Sequence, residues 1–431
     1  MARVHGGIAV NSCRGRVVVV GQGYVGLPLS IAAVSAGYTV FGVELDEVRL
    51  KQLSQSESYV EDISNTQVRA AFESGRYTVC ESPVTAEDFA VAVITVPTPE
   101  RDGRPDLSYV IAAAESLGPL LRPGTTVILE STTYPGTTEE VLAPLLRKLS
   151  GLEPGVDFAL GYSPERIDPG NPEWNLRSTP KIVSGVNEFS LQRIRAFYDS
   201  ILDRSVPVAG TREAELAKLL ENTFRYVNIA LVNELAVYAA DEGIDIWETI
   251  DAAATKPFGF MRFVPGPGVG GHCIPVDPAY LSWRFQERLG RPFEAFSFAN
   301  NINRRMSGYV AERLRRGLSQ RGKTLHGSRV LLLGLAYKAN IGDIRETPAR
   351  EICHSLRSAG ADVRAADPHV LKSPDDLLVP VVPLTAGELR AADAVLLLAA
   401  HDDFDYDLVR QHASYVLDTR NRLVGPAVEK L

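Results

Sequence analysis

A chain of 431 residues is too long for one ordinary core and calls for two or three domains at roughly 100–200 residues each. Its 45% hydrophobic and 23% charged residues exclude disorder, and no apolar run reaches the about 18 residues that a membrane helix requires. The formal net charge of −8 argues against nucleic acid as a partner, while four scattered cysteines (13, 80, 273, 353) and histidines at no ligand spacing exclude a disulfide framework and a metal site and suit a reducing cytoplasm.

Residues 1–14 lack the apolar core of a signal peptide and read as a loose tail. Arg16–Val20 is a β-branched run, followed by Gly21-Gln22-Gly23-Tyr24-Val25-Gly26 and a helical pattern that stops at Gly37. Tyr38–Val43 is a second strand, ending in Glu44. Further strands are expected at Ala90–Val96, Thr125–Glu130, Phe158–Gly161 and Lys181–Val186. They are nearly all apolar, as strands covered on both faces are, so the first domain reads as doubly wound and ends near residue 205. From Thr211 to Gly243 the strand signal disappears. Leu216, Leu219, Leu220, Phe224, Val227 and Leu231 recur at helical spacing, with Thr211 as candidate N-cap and Gly243 as the stop. Such a helix runs roughly 45–50 Å, which suggests a spine joining domains or subunits and hence a homodimer. From Arg329 the first pattern returns: a strand to Leu333, a helix Pro348–Ala359, a strand Ala361–Ala366 ending in Asp367, and strands at Ala392–Ala399 and Tyr415–Asp418. The expected fold is therefore α/β, two Rossmann-like doubly wound domains joined by a central helical domain with a long spine helix. The second α/β domain keeps only Gly334 of the glycine fingerprint, so it reads either as a second nucleotide site or as a structural partner.

Gly21-x-Gly23-x-x-Gly26 follows a strand, opens a helix, and precedes Glu44 at the next strand end. That context turns a weak motif into a strong dinucleotide signal. The first glycine permits the tight turn, the second a close approach of the pyrophosphate, the third the packing of helix on strand. A carboxylate at Glu44 can accept from both ribose hydroxyls and disfavours a 2′-phosphate, so the expected cofactor is NAD. The densest chemical signal is Gly266-Pro-Gly-Val-Gly-Gly-His-Cys-Ile-Pro-Val-Asp-Pro278. Cys273 sits just before the start of a helix expected over Asp277–Leu289, where a thiolate is stabilised. A small buried hydrophobe is the other reading of Cys273, and a helix cap the other reading of Asp277. Lys218 and Asn222 lie four apart on one helix face, where a solvated lysine is the usual case. Thr132 and Glu165 lie at strand ends, where ligands sit in open α/β sheets, and each also reads as a cap or loop anchor.

Taken together and in order, these segments resemble the UDP-glucose/GDP-mannose dehydrogenase family. The matching pieces are Gly21–Gly26, Val96–Pro99, Ser131-Thr132 with Pro135–Thr137, Ser163–Glu165, Glu215–Asn222, Gly270–Asp277, and Gly334–Lys338 with Asp343–Glu346. The resemblance implies an NAD domain over 15–205, a central helical dimerisation domain over 206–310 and a UDP-sugar domain over 320–431. It implies Cys273 as the nucleophile that carries a thiohemiacetal and then a thioester, and Lys218 and Asn222 as oxyanion stabilisers. Asp277 and Thr132 would hold a water, with Asp277 as base in the first oxidation, and Glu165 would activate water against the thioester. Tyr24, Val25, Arg49, Pro97, Thr98, Thr132 and Glu165 would border NAD with the glycines and Glu44. Glu165, Lys218, Asn222, Phe263, Gly270, Lys338 and Arg345 would face the substrate.

Glu44, where many relatives carry Asp, and Val276, where many UDP-glucose enzymes carry Lys, depart from the pattern. Gly-Gly-His-Cys-Ile-Pro-Val-Asp-Pro (270–278), preceded by Lys256–Phe260, is more similar to the branch acting on UDP-N-acetylhexosamines. The expected sugar is UDP-N-acetylglucosamine or its manno epimer, then UDP-glucose, then a dTDP- or GDP-hexose. Two other readings compete. A two-electron hydroxyacid dehydrogenase would release one NADH and need no cysteine, and a non-enzymatic nucleotide-binding protein would turn nothing over.

Overall fold

The computed structural model describes residues 14–86, 88–101, 103–168, 171, 173–271, 274–372, 377 and 379–431. The chain forms two compact units, Met1–Leu219 and Leu220–Leu431, divided within a single helix, Thr211–Glu242. In the first unit, six strands pair in parallel: β1 (Arg16–Val20), β2 (Thr39–Val43), β3 (Tyr77–Cys80), β4 (Val91–Ile94), β5 (Thr126–Leu129) and β6 (Ala159–Tyr162). Their order is β3-β2-β1-β4-β5-β6, with the reversal between β1 and β4. Alternate residues of each strand enter opposite cores. Val17, Val19, Val40 and Val93 pack on one face, and Val18, Val20, Ala92, Ile94 and Val127 on the other. Both faces are covered, which is why these segments read as unbroken apolar runs. Two further strands, β7 (Lys181–Val183) and β8 (Ser205–Pro207), form a separate parallel pair.

The sequence reading placed each of these strands except β3, β8 and the short hairpin Glu100–Arg101 and Arg104–Pro105. β3 is an edge strand whose last three residues are only partly covered, so it lacks the apolar run that marks its neighbours. Helix α1 (Gly26–Ser35) fills the β1–β2 crossover and is buried along most of its length.

Helix α2 (Thr211–Glu242) buries a mixed face, on which Ala214, Leu219, Ala230, Val232, Ala236 and Ala239 pack beside polar residues. Glu215, Lys218, Thr223, Tyr226 and Asn233 face inward, while Leu216, Leu220, Phe224, Leu231, Leu235 and Tyr238 are 43–62% exposed. Thr211 is the first helical residue rather than the cap, and its hydroxyl donates to Glu139 Oε1 at 2.8 Å. In the second unit α3 (Asp277–Leu289) and α4 (Glu294–Gln320) precede a five-stranded parallel sheet. Its strands are β9 (Arg329–Leu333), β10 (Asp362–Ala366), β11 (Ala394–Leu397), β12 (Val416–Asp418) and β13 (Val428–Lys430), in the order β10-β9-β11-β12-β13. Here too the sheet has a core on each face.

The β1–α1 turn is the tightest backbone approach of the first unit. Gly21 has φ +93°, and a Cβ built on it would lie 2.9 Å from Thr95 O. A Cβ on Gly26 would lie 1.8 Å from Gly21 O and 2.6 Å from Thr95 Oγ1. At Gly26 the Gly21 backbone stands on one side and the Thr95 hydroxyl, itself bonded to Val20 O and Gly21 O, on the other, which leaves little route for relaxation. Gly26→Ala should lose about 1–3 kcal/mol or more of stability and, with the turn displaced, bind NAD at least tenfold more weakly. Thermal unfolding and fluorescence titration would measure both, and wild-type values for either would refute this account of the turn.

Candidate active site

The first unit brings several predicted residues to the carboxyl ends of β1, β2, β4, β5 and β6, the side on which open α/β sheets bind ligands. Glu44, at the end of β2, accepts from Gln22 N (3.2 Å), Leu45 N (2.9 Å) and Asp46 N (3.1 Å). Arg49 lies 3.6 Å from the same carboxylate and over the Tyr59 ring, and the Tyr59 hydroxyl donates to Gln22 O at 2.7 Å. Tyr24 and Val25 are half-buried at the turn, Thr98 is buried and Pro97 exposed. The residues fit NAD. The turn is bare at Gly23, where a Cβ would meet nothing nearer than the end of the Arg49 side chain at 3.9 Å, helix α1 opens there, and a carboxylate stands at the next strand end.

Thr132 is half-buried in the turn after β5, and the neighbouring Ser131 hydroxyl donates to Val96 O at 2.7 Å. This turn is clamped by a residue that sequence reasoning gave no role. The buried Glu215 of α2 accepts from Gly136 N (2.6 Å), Thr138 N (2.9 Å) and the Thr138 hydroxyl (2.7 Å). Lys218, one turn further along the helix, is buried as well.

Glu165, after β6, is surrounded by donors. Its Oε1 accepts from Arg166 N (2.6 Å) and Ile167 N (2.7 Å), and its Oε2 from Lys181 Nζ at 2.8 Å. Lys181, at the head of β7, also lies 3.2 Å from Oε2 of Glu130, which follows β5 and is fully buried. The Tyr198 hydroxyl donates to the other Glu130 oxygen. Sequence reasoning missed Lys181, Glu130 and Tyr198. The signal for Glu130 and Lys181 is a charge at one end of an apolar strand, after β5 and at the head of β7, and Tyr198, on the helix Glu188–Asp199, has none.

In the second unit Asn222 Nδ2 donates to Oδ2 of Asp277, which is 2% exposed. The cap reading of Asp277 is overturned. Val276 occupies the N-cap position in helical conformation with no side-chain cap bond, and Asp277 is the first helical residue. An aspartate one place inside the helix start turns its carboxylate to Asn222 instead of back to its own N–H groups. The glycine loop before it lies against the Asp343–Pro348 segment. Cβ atoms on Gly270 and Gly271 would come within 2.6 Å of Glu346 O and 2.8 Å of the Tyr337 ring, and Gly271 N donates to Arg345 O at 3.0 Å. Arg345 forks onto Asp343 through Nε (3.0 Å) and its terminal nitrogen (2.6 Å), and Glu346 holds φ 49°, costly for a glutamate. Phe263 packs edge-on against Phe224 at 5.7 Å, and Lys338 is half-buried. Cys273 and His272 lie outside the described residues, as does Cys13.

Asp367 ends β10 as Glu44 ends β2, but it is saturated. Leu335 N (2.6 Å), His369 N (2.8 Å), Val370 N (3.0 Å) and His401 Nε2 (3.1 Å) all reach its carboxylate. Burial pushes its acidity down, but His401 and the backbone donors outweigh it and hold the carboxyl at about 2. A ribose diol finds no vacant acceptor there.

Glu215 is the titrating group closest to neutrality in the first unit's site. Burial raises its carboxyl to about 7, against the pull of the Thr138 and Gly136 donors and with a push from Glu139. Because the folded value exceeds the ordinary 4.5, the stability it contributes is complete below about 4.5 and is lost as pH rises through about 7. A shift of this size corresponds to about 3 kcal/mol between pH 4.5 and pH 8. Glu215→Gln abolishes the titration. The fall in unfolding midpoint between pH 5 and pH 8 should therefore be shallower in the variant by several degrees, and parallel curves would sink the assignment.

Three family models match the chain in succession. They are the NAD binding domain of the UDP-glucose/GDP-mannose dehydrogenase family at residues 15–202, its central domain at 212–305 and its UDP binding domain at 331–424. The UDP-N-acetyl-D-glucosamine 6-dehydrogenase of Pseudomonas aeruginosa is 38% identical over 90% of this chain and 91% of its own. The UDP-N-acetyl-D-mannosamine dehydrogenase of Pyrococcus horikoshii is 33% identical over 96% and 97%. A solved structure of the UDP-D-ManNAc dehydrogenase from that organism superposes with a TM-score of 0.87 at 31% identity, covering 96% of this chain and 98% of that one.

Proposed function

The chain belongs to the UDP-glucose/GDP-mannose dehydrogenase family, and on that premise we propose that it oxidises the C6 alcohol of a UDP-N-acetylhexosamine to the uronic acid with two NAD+. The observation that carries the reading is the buried Asn222–Asp277 pair, which stands at the start of the helix that follows Cys273 in sequence. A carboxylate taken from its own helix cap and held by an amide is placed for chemistry rather than for folding. The relatives named for N-acetylated sugars, and Val276 in place of lysine, support the sugar class.

Taking a primary alcohol to an acid removes four electrons, as two hydrides. NAD+, which the Gly21–Gly26 turn and Glu44 would hold, would supply the hydride acceptor for each oxidation. In the first, Asp277 receives the hydroxyl proton directly or through a water held with Thr132, leaving an aldehyde. The Cys273 thiolate then bonds to the aldehyde carbon, and Lys218 with Asn222 stabilises the oxygen as negative charge gathers there. Loss of the second hydride from the carbon of this oxyanion leaves a thioester. Water adds to the thioester carbon, its proton passes to Glu165, and the C–S bond breaks to return the thiolate and release the acid. Covalent capture keeps the aldehyde from escaping between the two oxidations. UDP is held by Lys338 and Arg345 from the second α/β domain, whose Asp367 is committed to its own backbone. The enzyme works where NAD+ and nucleotide-sugars are supplied, which we take to be the cytoplasm. No helix among the described residues is long and apolar enough to cross a membrane.

Counting NADH per sugar consumed over a panel of nucleotide-sugars tests the reading. Two NADH, with UDP-GlcNAc or UDP-ManNAc preferred, is the expected result. One NADH would indicate a two-electron dehydrogenase. Cys273→Ser should reduce acid formation at least a thousandfold, serine being a far poorer nucleophile at neutral pH. Full turnover by that variant would end the thioester mechanism.

The reading includes a homodimer. Leu220, Phe224, Leu231, Leu235 and Tyr238 form an exposed apolar stripe along α2, which a second copy of the same helix would cover. Light scattering should give twice the chain mass at micromolar concentration, and Leu231→Glu should shift the species toward monomer. A wild-type chain that is monomeric throughout the range would exclude the dimer.

A further inference from the structure

The proposed chemistry leaves one buried ionic cluster of the first unit unused. Lys181 is 3% exposed in its side chain and Glu130 not at all, and they meet Glu165 at the point where β5, β6 and β7 converge. Lys181 Nζ reaches Glu165 Oε2 at 2.8 Å and Glu130 Oε2 at 3.2 Å, and lies 5.5 Å above the Tyr198 ring. Burying three ionised groups is expensive, and a purely structural site would do as well with apolar side chains.

We propose that Lys181 and Glu130 are positioning residues that set the basicity of Glu165 in opposite directions. The proposal rests on Glu165 as the group that receives the proton of the hydrolytic water. Lys181 and the two backbone N–H groups fix the carboxylate in place and keep it ionised. Burial alone would raise its pKa, but the Lys181 charge and these hydrogen bonds hold it below the ordinary carboxylate range. An isolated Lys–Glu pair makes a poor base, because protonating it turns a neutral buried pair into a buried cation. Glu130 changes the arithmetic of charge. With two carboxylates around one ammonium the cluster carries one negative charge, and proton uptake by Glu165 brings it to zero. Tyr198 donates to Glu130 and stabilises that second carboxylate without adding charge. The guanidinium of Arg166, the next residue, donates to Pro180 O at 2.8 Å.

The two substitutions should therefore move the same pH profile in opposite senses, which loss of structure alone would not do. Full-length enzyme is mixed with NAD+ and the UDP-N-acetylhexosamine it oxidises, and the acyl adduct on Cys273 is followed by rapid quench and intact mass at several pH values. Lys181→Met leaves two carboxylates facing each other. The hydrolytic limb should move to higher pH by about one unit or more, with adduct accumulating at pH 7. Glu130→Gln should move the limb to lower pH and lower its plateau several-fold, because a weaker base transfers the proton less readily. Affinity for NAD+ in both variants checks that the fold is retained. If Lys181→Met fails to fold, Glu130→Gln carries the test, and an unchanged or alkaline profile in it overturns the proposal. Shifts in the same direction, or none, overturn it as well. Glu165→Gln separates the two levels. An adduct that persists in that variant upholds Glu165 as base, while wild-type hydrolysis would remove the premise and the proposal together.

Discussion

The inward face of the Thr211–Glu242 helix mixes apolar residues with polar ones, and a polar group buried there is costly unless a partner matches it. In the first unit Glu215 is matched by the backbone of the turn that carries Thr132. In the second, Asn222 is matched by Asp277, and Asn233 by Gly266 N and Asn303. The loops that hold the candidate chemistry are thus the ones that satisfy this helix. A packing error in any of them leaves a buried carboxylate or amide unpaired, a penalty of about 1–3 kcal/mol or more. Site geometry and stability are enforced by the same hydrogen bonds, so a loop that has drifted is also a loop that has destabilised the protein.

The two α/β sheets solve a common architectural problem with different consequences at the strand ends. Each carries an acid after the second strand of its own βαβ unit. Glu44 keeps its carboxylate at the rim of a turn whose glycines leave the backbone bare. Asp367 is drawn down onto Leu335 N and His401, and the corresponding crevice is filled from within. Repetition of a fold has not repeated the arrangement at the strand end, where Asp367 is engaged on both oxygens.

Most of the fold was legible because parallel strands buried on both faces announce themselves as apolar runs, and because Gly21, Gly23 and Gly26 have a steric reason to be glycine. Edge strands such as Tyr77–Cys80 and Val428–Lys430 are half-covered and carry no such signature. The apolar periodicity of the long helix was read correctly, but which face turns inward was not readable. Leu220 and Phe224 look like core in a sequence and are exposed here, while Glu215 and Asn233 look like surface and are buried. Asp277-Pro278 is compatible with a cap or with a first helical residue, and only the backbone angles of Val276 decide between them. The Glu130–Lys181–Tyr198 cluster draws on residues up to 68 positions apart, from two strand ends and a helix, and nothing local in the chain foretells their meeting.

The glycine loop sets a limit on how this scaffold can diversify. Gly266 faces the Arg420 guanidinium, Gly268 the Pro348 ring, and Gly270 and Gly271 the Tyr337 side chain, each at a distance that leaves no volume for a methyl group without movement of its neighbour. In the adjoining stretch Phe258, Phe260 and Met261 stand open to solvent. The segment is thus divided into packed glycines, where a side chain would displace its neighbours, and an open aromatic stretch, where a side chain displaces only water.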